Sequence, residues 1–424
     1  MFCPTAGQGE GPMRLPTLAV SLCALVLGPA WADHESRLPR NASFTTLSVT
    51  PFAIEGLTGD AAGNLYTTGR QPDTTRSCPV WRIGVDGSRA TVGFIPNSTG
   101  CNPSGITFDR GGDLYIADAA TISGVSGFVW KVTPHPIGCQ SDDSAATLCA
   151  AVPLASAFVS GVPGTNGLAF DRDGNLWTGD GTTGLGRVWR IGAAGGVCEP
   201  AFNRCAEAFR IQPMANTASV GRQANTLQPP QTPTAGPNPQ PLVANGVAFD
   251  PEGDLYVADT ARGALWKVEF DRRGNLRSAT GCDATFTANT LCLDNILVAH
   301  PYLEGTDGIA LDRAGNIWNA TNERNAVVVV TRHRHVVEVF RNPVNAAGLR
   351  NAADTAEGNK HILELPTSPF LHGRKFCTAN SDGNRRDNSP RSAGEINAGT
   401  GGARGKISCM DQELPIPGLT LPVH

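Results

Sequence analysis

Asn245-Gly-Val-Ala-Phe-Asp-Pro-Glu-Gly-Asp-Leu-Tyr-Val-Ala-Asp259 is the stretch whose reading decides the fold. Val247 and Phe249 alternate with Ala248, the period of a strand with one buried face. Asp250-x-x-Gly253-Asp254 has the composition of a tight turn, with Gly supplying a positive φ and the Asp side chains bonding local backbone. Leu255 to Asp259 then reads as the returning strand. The same unit recurs as EGLTGDAAGNLYTTG (55–69), SGITFDRGGDLYIAD (104–118), NGLAFDRDGNLWTGD (166–180) and DGIALDRAGNIWNAT (307–321). A sixth, degenerate copy begins near Ser368 within TSPFLHGRKFCTANSDG (367–383).

Each copy is followed by a third strand: VWRIGVDG (80–87), VWKVTP (129–134), VWRIGAAGG (188–196), LWKVEFD (265–271) and VVVVTRHR (327–334). Fourth strands can be placed at TVGFI (91–95), EAFRI (207–211) and VVEVF (336–340). Four antiparallel strands in units of about 40–60 residues make a propeller blade. The expected fold is therefore all-β, a six-bladed β-propeller of four-stranded blades. Trp81, Trp130, Trp189 and Trp266 recur at one position of the third strand and read as core between blades. The last unit offers only about three strands, while residues 43–52 form a lone strand-like run. Pairing the two would close the ring and leave no free edge.

The chain as a whole is sparing in charge. It has 424 residues, 49 Gly and 31 Pro, and charged residues are only 17%, which suits many strands and turns. The net charge of −4 offers no basic field for nucleic acid. Arg14, the apolar run Leu15 to Leu27 and Ala30-Trp31-Ala32 read as a secretory leader over 1–32, with Met13 as an alternative start. The apolar run is too short to span a bilayer. The remaining 33–424 reads as one propeller domain, periplasmic or secreted, with a Pro-rich loop insertion at 212–242. That loop leads directly into Asn245, so it is expected over the channel mouth. Ten of the twelve cysteines lie beyond the leader, and an even number in an exported chain argues for disulfides. Their local spacing suggests Cys78 with Cys101, Cys139 with Cys149, Cys198 with Cys205, Cys282 with Cys292, and Cys377 with Cys409. Asn41, Asn97 and Asn319 open glycosylation-type Asn-x-Ser/Thr motifs.

The first residue of each innermost strand should face the channel mouth. Those residues are Glu55, Ser104, Asn166, Asn245, Asp307 and Ser368. Like charges in one polar cavity repel, and a hard cation bound by oxygen ligands relieves that; Ca²⁺ suits such ligands, with Mg²⁺, Mn²⁺ or Zn²⁺ as alternatives. The bland reading, that Asn or Asp before Gly is turn chemistry, predicts identical residues in every blade, and these differ. Asp109, Asp171, Asp250 and Asp312 do recur identically, so they read as turn residues. His300, seven residues before Asp307, is a further candidate for contact with a ligand. No Arg or Lys occupies the six positions or their sequence neighbours, and no Gly-x-Ser-x-Gly nucleophile motif occurs.

With these motifs the chain resembles the senescence-marker-protein/gluconolactonase/regucalcin-like superfamily of six-bladed propellers, and also NHL-type and streptogramin-lyase-like propellers. The resemblance implies a divalent-metal site from Glu55 (IEG), Asn245 (ANGVAFD) and Asp307 (TDGIALD), with Asn166 (TNGLAFD) as a further polar residue. It implies that Asp307 acts as base toward water while the metal polarises a lactone or ester oxygen. Ser104, Asn166, Ser368 and His300 are then candidates to contact the small-molecule lactone or ester. The rival expectation is a non-catalytic exported propeller that binds a protein, glycan or small ligand around a structural metal.

Overall fold

The computed structural model describes residues 38–39, 42–70, 76–96, 101–119, 127–181, 185–198, 205–212, 244–342, 362–363, 365–381 and 405–411. The leader and the Pro-rich insertion, apart from Gln212, lie outside the described residues. Strand β1 (Phe44–Val49) precedes blade one, which is β2 (Thr58–Gly59), β3 (Leu65–Thr68), β4 (Cys78–Ile83) and β5 (Arg89–Ile95). Blade two is β6 (Pro103–Phe108), β7 (Leu114–Asp118), β8 (Gly127–Val132) and β9 (Ser156–Val162). Blade three starts with β10 (Thr165–Phe170), β11 (Leu176–Asp180) and β12 (Arg187–Ile191). A short β13 (Gly196–Val197) then pairs parallel with β9 before β14 (Cys205–Arg210) completes the blade. Blade four is β15 (Val247–Phe249), β16 (Leu255–Asp259), β17 (Ala264–Val268) and β18 (Ile296–Ala299). Blade five is β19 (Thr306–Leu311), β20 (Ile317–Thr321), β21 (Ala326–Val330) and β22 (Val336–Arg341). Blade six is β23 (Pro366–His372), β24 (Lys375–Asn380) and β25 (Lys406–Asp411), and β1 supplies its outer strand.

The chain is a six-bladed β-propeller, and the first strand does close the ring by pairing with the last. Its core is not one mass. Each of six clusters of buried side chains joins two neighbouring blades, as when Trp177 and Phe209 of blade three pack with Val257 and Trp266 of blade four. Trp81, Trp189 and Trp266 are fully or almost fully buried in such clusters, and Trp130 packs at the edge of another. A strand with both faces covered by adjacent blades must be apolar on both, which is why β21 reads as an unbroken run of Ala and Val.

The turn motif is a closed hydrogen-bonding unit. Asp312 accepts from the backbone N–H groups of Ala314 and Asn316, from the Asn316 amide, and from the Trp318 indole at 3.0 Å. Asp171 repeats the set with Asp173, Asn175 and Trp177. In blades one and four a tyrosine replaces the indole, bonding Asp60 and Asp250. Burial, and then the neighbouring carboxylate, pushes Tyr66 and Tyr256 up to about 12, so both stay protonated donors. The turn role expected for these aspartates is what the structure displays.

All five cysteine pairs expected from spacing are bonded. Cys377–Cys409 ties β24 to β25 at directly opposed positions, beside the closing strand. Five disulfides are consistent with an extracellular location. No helix among the described residues is long and apolar enough to cross a membrane.

Candidate functional site at the channel mouth

The anchor residues are aimed by backbone irregularity. In blade three, Thr165 opposes Asp180 and Leu168 opposes Thr178, so Asn166 and Gly167 together face one residue of β11. The same two-against-one bulge holds Ser104-Gly105, Asp307-Gly308 and Thr367-Ser368. In blade four Ala258 makes both bonds, donating to Gly246 O and accepting from Asn245 N, each at 2.8 Å. A bulge re-aims a side chain, and here it does so at the start of the inner strand.

The bulges correct the sixth position. Thr367, not Ser368, is equivalent to Asp307; Ser368 occupies the place of the glycine that follows each other anchor. The degenerate sixth copy lacks that glycine, which shifted the sequence alignment by one.

The glycines also have a spatial cause. A Cβ on Gly56, Gly105, Gly167, Gly246 or Gly308 would lie 2.1, 2.3, 2.6, 2.3 or 2.4 Å from the carbonyl oxygen of the next blade's anchor. Thr367 completes the circle by donating its hydroxyl to Glu55 O at 2.6 Å. The six anchors therefore form one continuous ring of touching backbone. Turn chemistry does not explain Asn-Gly and Asp-Gly here; the close approach of neighbouring inner strands does.

Within the ring the side chains divide. Ser104 donates to Thr165 O at 3.2 Å and Thr367 to Glu55 O, so these two hydroxyls tie blades together. The other four each meet the residue fifteen positions on, just past the second strand of the same blade: Glu55 with Arg70, Asn166 with Gly181, Asn245 with Thr260, Asp307 with Asn322. Glu55 and Arg70 form an ion pair. A Cβ on Gly181 would lie 2.4 Å from the Asn166 amide nitrogen, so Gly there makes room for that side chain. Asn322 Nδ2 donates to Asp307 Oδ2 at 3.0 Å.

The Asn245 amide has a determined orientation. Thr260 gives its single hydroxyl proton to Thr306 O at 2.7 Å, so toward Asn245 it can only accept. It therefore takes Nδ2, at 3.0 Å, and Oδ1 is left buried with no hydrogen-bond partner among the described residues. Asn322 is fixed likewise by the carboxylate it bonds, and its Oδ1 is also buried and unpartnered. A buried acceptor without a donor costs free energy unless something else satisfies it.

This second ring was missed from sequence. Arg70 is not a sequence neighbour of any anchor, but the hairpin returns it to Glu55. The signal was the offset of fifteen shared by four of the repeats. His300 has another occupation. Its Nδ1 accepts from Tyr302 N–H at 3.0 Å, its ring meets Tyr302 edge-on, and it begins a short 3-10 turn. Asn319, despite its acceptor motif, is fully buried, with its amide on the carbonyls of Ile317 and Val328. Asn41 and Asn97 lie outside the described residues.

Below the mouth, Leu57, Ile106, Leu168, Val247, Ile309 and Leu371 line a cavity of about 100 Å³. That is well under the roughly 300 Å³ of small ligand pockets. The inner strands thus leave a space there that is too small for a substrate of that size.

The sequence comparison falls on the blades that carry Asn245 and Asp307. Residues 236–348 match the family described as SMP-30/Gluconolactonase/LRE-like region. The chain thus resembles that superfamily, as its motifs implied. No curated protein matches the chain. Solved structures similar to it include regucalcin of Agrobacterium tumefaciens, described as a calcium-binding protein. That pair is 15% identical, with 91% of this chain and 98% of the other covered and a TM-score of 0.48. A luciferin-regenerating enzyme is 11% identical, with 89% and 99% covered and a TM-score of 0.49. A gluconolactonase of Xanthomonas campestris is 15% identical, with 88% and 90% covered and a TM-score of 0.41.

The mouth of this SMP-30/gluconolactonase-like propeller has a donor set suited to a hard divalent cation. It offers two carboxylates and two amides, and the Asn245 oxygen is a buried acceptor with no donor among the described residues. No group of three or more His, Cys, Asp or Glu suited to a metal occurs among the described residues. A cation at this mouth would therefore depend on amide oxygens as well as on Glu55 and Asp307.

Proposed function

We propose that this chain is an exported hydrolase of a lactone or related ester, dependent on one divalent cation, Ca²⁺ by the hardness of its ligands. Glu55, Asn166, Asn245 and Asp307 would hold the cation. The observation that carries the reading is the buried, unpartnered Asn245 Oδ1 in a ring that also bears two carboxylates. The likeness of residues 236–348 to gluconolactonase-type sequence supports it.

When bound, Ca²⁺ would act as Lewis acid toward the carbonyl oxygen of the substrate and neutralise the two carboxylates. Asp307 accepts the proton of the attacking water as its oxygen bonds to the carbonyl carbon. It returns that proton to the leaving alkoxide as the ring C–O bond breaks, giving a hydroxy acid. Asn322 fixes the plane of the Asp307 carboxylate by holding one of its oxygens. The leader read in the sequence and the five disulfides support export.

A second reading is favoured by one observation: Arg70 already neutralises Glu55. On that reading the propeller binds a protein, glycan or small ligand and does no chemistry. Metal content and hydrolysis of a lactone panel, on the mature protein and on Asp307→Ala, separate the two. Stoichiometric Ca²⁺ with hydrolysis lost in the variant or with chelator supports the hydrolase. Bound metal with no turnover of any lactone or ester supports the binding propeller.

A further inference from the structure

Arg70 stands where Thr260 and Asn322 stand in blades four and five, fifteen residues after its anchor. In those blades the second-ring residue donates to its anchor or accepts from it as a neutral group. In blade one it brings a full positive charge to Glu55. Arg70 is also held across the blade boundaries. Its backbone N–H donates to Ala53 O at 2.8 Å, its Nε reaches Pro103 O at 3.4 Å and its Nη1 reaches Ser381 Oγ at 3.5 Å. Pro103 directly precedes the anchor Ser104, and Ser381 is the second-ring residue of blade six. The guanidinium thus spans three blades beside one carboxylate.

Two cations cannot share one carboxylate at the mouth without repelling one another, and a fixed side-chain cation has the advantage of being already present. From this we infer that Arg70 is a latch that competes with the divalent cation for Glu55. Binding of the metal requires the guanidinium to let go, so metal occupancy and the position of Arg70 are coupled. Without metal, the latch neutralises Glu55 and ties blades six, one and two together. With metal, the freed guanidinium is a cation beside the occupied mouth. The inference rests on the metal reading above, and it adds a residue that lowers rather than raises metal affinity.

Calcium titration calorimetry on the full chain, on Arg70→Gln and on Arg70→Lys tests it without any substrate. Arg70→Gln should bind Ca²⁺ about tenfold more tightly than the parent, and Arg70→Lys should fall between them. In EDTA the order of thermal stability should reverse, with Arg70→Gln melting lowest because Glu55 is left uncompensated; Ca²⁺ should raise its melting temperature most. In the unsubstituted protein, phenylglyoxal labelling of Arg70, read by mass spectrometry, should rise when Ca²⁺ is added. That arm stands even if a variant fails to fold. Equal or weaker Ca²⁺ binding by Arg70→Gln, or labelling that Ca²⁺ leaves unchanged, overturns the latch and leaves the metal reading intact. Absence of Ca²⁺ binding in the parent and in every variant overturns both.

Discussion

The two ends of the inner hairpins obey opposite rules. At the hairpin turn, five blades carry the same residue: Asp60, Asp109, Asp171, Asp250 and Asp312. Each accepts from the backbone N–H four residues on. At the mouth the blades carry Glu55, Ser104, Asn166, Asn245, Asp307 and Thr367. A turn has the same geometry to satisfy in every blade, so its residue repeats. A mouth has one centre approached from six directions, so its residues differ and share one task. Repetition marks what the fold needs, and divergence at an equivalent position marks what the site needs.

The comparison is sharpest for the two aspartates of blade five. Asp307→Asn should lower lactone turnover by about 10²- to 10⁴-fold with little change in melting temperature, because an amide oxygen can still accept from Asn322. Asp312→Ala should do the reverse. It leaves two backbone donors and the Trp318 indole without partners, which should cost about 3 kcal/mol of stability by denaturant titration, while turnover per folded molecule stays near the parent's. Equal effects of both on both readouts would erase the distinction between the two ends.

A smaller effect tests the boundary between them. Gly246→Ala puts a methyl group 2.3 Å from Asp307 O. It should cost about 1–3 kcal/mol and also displace the Asp307 backbone, so stability and activity should fall together. A variant that loses neither would mean that the inner strands are not in contact. Next, Asn245→Ala removes a buried unpartnered oxygen. Stability without metal should change by about 1 kcal/mol or less, while Ca²⁺ affinity in calorimetry should drop; an unchanged affinity would remove Asn245 from the ligand set.

The smallest effect is a pH dependence at the turn end. Burial raises the Asp250 carboxyl above its ordinary value. A group with a raised folded pKa contributes stability that is fully present below its unfolded value, near 3.9, and that is lost as pH rises through the folded value. Asp250→Asn should therefore flatten the stability profile in the range just above pH 4, measured by urea unfolding at closely spaced pH values. An identical profile in the variant would contradict the shift.

The sequence by itself showed the inner strands of the repeats and the blade count, suggested the cysteine pairs, and marked five of the six ring positions, but the outer strands of blades two and four (β9 and β18) were not legible in it. Those features depend on local periodicity and on a unit repeated along the chain, and both survive in one dimension. The closing strand was also legible, because a last blade one strand short needs a partner. Only the tertiary structure decided the sixth anchor, since the register of Thr367 is set by a bulge against Asn380 and Thr378 rather than by residue identity. It alone explained the glycines, whose missing Cβ atoms face a different blade. It alone brought Arg70 to Glu55 and left the Asn245 oxygen without a donor. These are contacts between chain segments that return to the mouth from separate strands, and the physical quantity that defines them, distance through space at a converging axis, has no counterpart in the order of residues.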